Sequence, residues 1–232
     1  MTKRIIQLLM QTSQWTRSQV RLLLKEGRVQ VDGKTVLGEH YFVKEGSLIT
    51  VNGEKIKLPN ERLYFILNKP RGYSCQKGTH PNVLSFFKNI PVFAVGRLDK
   101  DTEGLLLLTN DGDYAHRILS PDHKTEKEYF VTTLNALDNY QLNTLAEGIS
   151  IKLGTIRYLT KPALVKQKDK HSLFIVIKEG KKRQIRKMLK GVGNKVITLT
   201  RIRIGKLELA DLKIGTTKQL TKEEAFLALT AE

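Results

Sequence analysis

The sequence predicts an α+β protein with two unequal parts: a small N-terminal unit, and a larger one built on a mixed, mainly antiparallel sheet flanked by helices. Two observations carry this. Short β-rich runs dominate, with helical patterns interspersed among them and no fixed-period repeat or low-complexity tract in the 232 residues. A short polar stretch, Leu58-Pro59-Asn60-Glu61-Arg62, divides the chain. The expected units are therefore 1–57 and 63–232, with 58–62 as linker.

The first unit opens on Ile5, Ile6, Leu8 and Leu9, an apolar pattern at helical spacing. Thr16 with Gln19 three residues on makes a capping box and starts a second helix. That helix carries Arg17, Arg21 and Lys25, spaced four apart and so on one face. Gly27 ends it. Arg28-Val29-Gln30-Val31-Asp32-Gly33 reads as an alternating strand running into a turn, and 47–53 repeats the design. Ten basic residues against five acidic ones give the unit an electrostatic footprint suited to RNA phosphates. A merely solvated helix face is the competing reading.

The second unit starts with the strand Leu63-Tyr64-Phe65-Ile66-Leu67, closed by Pro70, and a basic turn through Lys69, Arg71 and Gly72. Phe93-Ala94-Val95 and Leu105 to Leu108 read as short buried strands. Between them, Gly96-Arg97-Leu98-Asp99-Lys100-Asp101-Thr102-Glu103-Gly104 packs three acids and two basic residues into a loop bounded by glycines. Because the core holds both its ends, its charged side chains are aimed rather than free. Asn110-Asp111-Gly112 reads as a structural turn, and Asp101, Glu103 and Asp111 as turn and surface acids. A helix follows over 113–119, then a β-rich run over 128–133 in which Tyr129 is ordinarily a core or cross-strand residue. A helix near 138–147 ends at Gly148, strands fall around 162–166, 172–177, 196–204 and 207–209, and Thr221 with Glu224 opens a terminal helix. From Lys178 to Lys206 there are eleven basic residues and one acid, Glu179. Within that run Ile185, Met188 and Leu189 form an apolar stripe, with Arg186 beside it and aimed partly inward. An arginine so placed needs an anion, since an uncompensated buried charge costs roughly 3–5 kcal/mol.

The formal net charge of +17 calls for a polyanionic partner, nucleic acid first and an acidic membrane surface second. No apolar run approaches the ~20 residues that span a bilayer, and no secretory pattern opens the chain. The single cysteine, Cys75, excludes a disulfide framework or a Cys-cluster zinc site, and the five histidines lack ligand spacing. These features predict a cytoplasmic, metal-free protein.

Residues 1–57 resemble the αL-type RNA-binding module, except that the usual Arg-Leu-Asp-Lys-like opening is here Lys3-Arg4-Ile5-Ile6-Gln7. Four further stretches, Leu67 to Tyr73, Gly96 to Asp99 with Thr102 to Gly112, Lys127 to Val131 and Glu179 to Met188, together resemble the bacterial ribosomal RNA pseudouridine synthases, in order and spacing over nearly the whole chain. The resemblance implies isomerisation of a uridine within ribosomal RNA, free or in an assembling subunit, by a monomer needing no cofactor. It also implies roles: Asp99 as nucleophile or as base at the 2′ carbon, Arg186 paired with Asp99, and Tyr129 against the base. Arg97 would fill the gap left by the flipped nucleotide or brace its phosphate. Further RNA contacts are expected from Lys69, Arg71, Arg17, Arg21, Lys25, Arg28, Lys182 and Arg183. Leu119-Ser120-Pro121 and Thr160 to Ala163 look like the small-subunit enzymes, whereas Thr102 to Leu105 and Arg183 to Arg186 look like the large-subunit ones. The balance leans to small-subunit RNA. A ribosome-assembly protein that has lost activity is the main alternative, and a metal-dependent nuclease a weaker one.

Overall fold

The computed structural model describes residues 2–12, 14–59, 61–76, 78–123 and 125–230; Asn60 of the expected linker lies outside them. The first unit runs β1 (Lys3–Arg4), α1 (Ile5–Gln11), α2 (Arg17–Lys25), β2 (Val29–Val31), β3 (Lys34–Thr35), β4 (Phe42–Val43), β5 (Ile49–Val51) and β6 (Glu54–Lys55). Thr16 and Gln19 cap α2 reciprocally, as the capping box requires. Gly27, at φ +69°, lets the chain leave the helix in a conformation other residues resist. The strands form a four-stranded sheet in the order β3-β2-β5-β6, with β1 pairing β4 alongside. Ile5, Leu9, Val20, Leu24, Val29 and Ile49 pack between helices and sheet in a core of their own, which Trp15 borders.

The second unit runs β7 (Tyr64–Lys69), β8 (Phe93–Ala94), β9 (Glu103–Thr109), α3 (Gly112–Leu119), β10 (Lys127–Thr133), α4 (Asn139–Glu147), β11 (Ser150–Leu153), β12 (Ile156–Leu159), β13 (Leu164–Asp169), β14 (Ser172–Ile177), α5 (Gln184–Gly191), β15 (Val196–Ile204), β16 (Leu207–Glu208), β17 (Thr217–Gln219) and α6 (Lys222–Phe226). A nine-stranded sheet is ordered β13-β14-β10-β15-β9-β7-β17, with β8 on β9 and β16 on β15. Every pairing in it is antiparallel except β15 with β9. That one parallel junction lies at the middle of the sheet.

Strands β7 and β9 are buried on both faces, which explains their continuous apolar runs. One face packs on Phe65, Leu67, Leu106, Leu108, Val131 and Met188, the other on Tyr64, Ile66, Leu105, Leu107 and Tyr114. The Asn110-Asp111-Gly112 turn is more than a turn. Asp111 is buried and caps α3, accepting from the backbone N–H of Asp113 and Tyr114 at 3.1 and 3.2 Å. It also accepts the Tyr64 hydroxyl at 2.9 Å and pairs with Arg62 at 2.8 Å. Burial and this carboxylate push the Tyr64 hydroxyl up to about 12. The hairpin β11–β12 was not expected from its sequence, because Ile156 and Leu159 are exposed and give no inward stripe.

Candidate active site

The loop between β8 and β9 projects Asp99 into a cleft of about 760 Å³ at the β9–β15–β10 junction. Arg97, Tyr129, Lys182 and Arg183 also line this cleft. Tyr129 sits on β10 opposite Arg201 of β15 and is 8% exposed, its ring forming part of the cleft wall. Arg97 and Lys182 are exposed at the same opening.

Several contacts fix the loop from both sides. The Thr102 N–H donates to the Asp99 carbonyl at 3.0 Å, a tight turn around the acid. The Gly72 N–H donates to the Lys100 carbonyl at 2.7 Å. Lys69 is 0% exposed, and its ammonium donates to the carbonyls of Thr102 at 2.7 Å, Pro70 at 3.0 Å and Lys100 at 3.5 Å. The expected RNA contact of Lys69 is thus corrected: a fully buried ammonium bonded to carbonyls fastens the loop and cannot reach a phosphate.

The opposite side brings a second correction. Arg186 does not bond Asp99. Its guanidinium donates to the Asp101 carbonyl at 2.7 Å and lies 3.3 Å from the Asp101 carboxylate. Arg183, at the N-terminal cap of α5, forks onto that carboxylate at 3.0 and 2.9 Å. Asp101, read as a turn acid, is therefore the anion that the inward arginine needs. It sits two residues beyond Asp99, close enough that the Asp99 charge still acts on Arg186 and Arg183. Burial works against the Asp101 carboxylate, but the Arg183 hydrogen bond and the two guanidinium charges outweigh it and hold the carboxyl below the usual range. Arg183 reaches it from a left-handed backbone conformation at φ 55°, which costs of order 1–3 kcal/mol and is sustained by the contacts around it. The Asp99 carboxylate itself makes no hydrogen bond among the described residues and stays available in the cleft.

In the first unit Arg17 and Lys25 are exposed on α2. Arg21 is held by Glu39 at 2.6 Å, and Arg28 by Asn52 and Glu26. Arg71 is exposed in the loop after β7. Arg201 and Lys127, which also line the cleft, had not been singled out. Nothing in a run as basic as 178–206 distinguishes one arginine from another until the strand register is known.

An acid held in a basic trough suits chemistry on a polyanion, and a separate basic unit suits grip on folded RNA. The class is an RNA-acting enzyme. The RNA pseudouridylate synthase family matches residues 63–190, and the S4 domain matches residues 4–49. Ribosomal small subunit pseudouridine synthase A of Escherichia coli K12 is 38% identical over 87% of this chain and 89% of its own. Its namesake in Pasteurella multocida is 36% identical over 90% and 92%, and ribosomal large subunit pseudouridine synthase B of Bacillus subtilis 37% over 90% and 88%. A crystal structure of a pseudouridylate synthase superposes with a TM-score of 0.72 at 32% identity, covering 97% of this chain and 99% of that one. This chain belongs to the RNA pseudouridylate synthase family, with an S4 domain ahead of the synthase domain.

Proposed function

We propose that the protein isomerises one uridine of small-subunit ribosomal RNA to pseudouridine, with Asp99 as the reacting carboxylate. The observation that carries the reading is the Asp99 side chain itself, presented by a doubly fastened loop into a basic cleft beside Tyr129. The base must leave its stack to reach that depth, at a cost of a few kcal/mol. Arg97 at the rim occupies the place vacated or braces the neighbouring phosphate, and Lys182 and Arg71 track the backbone. In the first unit, Arg17 and Lys25 take phosphates, as do Arg21 and Arg28 once freed from their partners. Residues 1–57 and 63–232 act as the two units, in keeping with their separate cores.

Asp99 attacks C1′ or removes the 2′ proton as the N1–C1′ bond breaks, and Tyr129 lies against the uracil while it turns to present C5. Arg186 acts on Asp99 through the loop: together with Arg183 it holds Asp101, and Asp101 fixes the turn. Small-subunit RNA is favoured by the relatives named for that activity and by the Leu119 to Pro121 and Thr160 to Ala163 runs. Because the large-subunit relative is as similar in identity, the test includes both RNAs. Small-subunit RNA labelled with tritium at C5 is expected to release tritium with the purified protein, and pseudouridine mapping in a deletion strain is expected to show one lost site in that RNA. A lost site in large-subunit RNA alone would redirect the assignment, and release from neither would end it.

A further inference from the structure

The β10–β15 ladder contains a register shift with a chemical consequence. Lys127 pairs with Ile204 and Glu128 with Arg203, but Tyr129 pairs with Arg201, so that Ile202 is the extra residue of a bulge. Arg201 and Arg203 alternate along the strand and would otherwise share a face. The bulge divides their surroundings. Arg203 meets Glu128 at 2.7 Å and Glu126 at 3.4 Å, whereas Arg201 lines the cleft with Lys127, Tyr129, Leu199 and Ile204.

Arg201 is 4% exposed, and among the described residues no carboxylate pairs with it. Its Nε donates to the Leu105 carbonyl at 2.8 Å, and one terminal guanidinium nitrogen is buried without a hydrogen-bond partner. Lys127 is two residues before Tyr129 on the same strand, its ammonium donating to the Thr125 carbonyl at 2.9 Å. Neither cation forms an ion pair among the described residues. Burial, and secondarily the Arg201 charge, push the Lys127 ammonium down to about 8, with no acid offsetting either. Two buried cations with no ion-pair partner among the described residues, beside Leu199, Ile177 and Ile204 in the cleft that also receives Asp99, form a site for negative charge.

We propose that Lys127 and Arg201 receive the negative charge of the uracil once its bond to the sugar has broken. The proposal rests on the synthase reading above. When N1–C1′ breaks, the bonding pair leaves with the ring as a uracil anion, its charge shared over N1, O2 and O4. Asp99 is then either bonded to C1′ or carries the 2′ proton. When C5 bonds C1′ the ring gives up that charge, Asp99 returns to a carboxylate, and the C5 proton is exchanged through solvent for one on N1. The substrate ring is neutral and the anion exists only in between, so buried cations favour the intermediate and its flanking transition states over the bound substrate. A phosphate fits less well, because it is charged throughout and meets the exposed cations at the rim, Arg97 and Lys182.

Lys127→Gln removes the charge while keeping a donor for the Thr125 carbonyl, and Lys127→Arg keeps the charge. Lys127→Met replaces the first should it not fold, with thermal unfolding checked for each. Wild type is measured first: without tritium release the synthase reading itself fails. With release present, Lys127→Gln is expected to lower kcat about 10²-fold, the scale of losing one preorganised oxyanion donor, with the RNA Kd within about twofold. Lys127→Arg should recover most of the rate. In single turnover, 5-fluorouridine RNA, whose ring bears negative charge more easily, should show a smaller variant defect in N-glycoside cleavage read from nucleoside digests. A weakened Kd with kcat intact would overturn the proposal in favour of a phosphate site. An unchanged kcat, or an equal defect with the fluorinated base, would overturn it outright.

Discussion

Arg183 and Arg186 clamp Asp101, two residues beyond Asp99 in the same loop. A charge pairing was legible in the sequence, because Arg186 flanks an apolar stripe and so had to find an anion. Which acid it would find was not, since Asp99 and Asp101 share one loop and only the turn geometry separates them. Asp101→Asn leaves the buried Arg186 without its nearest carboxylate. We expect a stability loss of about 3 kcal/mol and a kcat loss of 10-fold or more, with RNA affinity little changed, read by thermal unfolding and tritium release. The pH dependence follows from the depressed Asp101 carboxyl. A carboxyl lower in the folded state than in the unfolded one contributes stability above the ordinary carboxylate range, and loses it as pH falls through the folded value. The Tm difference between wild type and Asp101→Asn should therefore shrink from pH 7 to pH 3.

At the scale of elements, long strands and capped helices were readable because each has a local cause: apolar runs in β7 and β9, capping boxes at Thr16 and Thr221. The β10–β15 bulge was not, because register is a property of two strands far apart in the chain. Nor was the burial of Lys69, two of whose carbonyl partners, Lys100 and Thr102, come from a distant loop. Gly104 shows how close the central junction is: a Cβ there would stand 2.2 Å from the Arg201 carbonyl oxygen, at φ +99°. Gly104→Ala is expected to destabilise the synthase domain by about 3 kcal/mol or more, seen as a lower urea midpoint. Asp111→Ala removes a helix cap and leaves the buried Tyr64 hydroxyl unpaired. The expected cost is about 2–4 kcal/mol, measured as a Tm decrease of roughly 5–15 °C.

For the whole molecule, the charge of +17 has a thermodynamic reading. RNA binding should weaken with salt, each phosphate contact adding roughly −0.7 to −0.9 to the log–log slope. Replacing the exposed Lys25 on α2 should lower that slope by about one contact without changing kcat. Under the proposed function, the S4 domain and the rim cations set affinity, and the fastened loop sets chemistry. That division is tested most directly with Asp99→Asn, assayed side by side for RNA Kd and for tritium release from C5-labelled ribosomal RNA. We predict undetectable release with Kd within about threefold of wild type. Release persisting in Asp99→Asn would contradict the account.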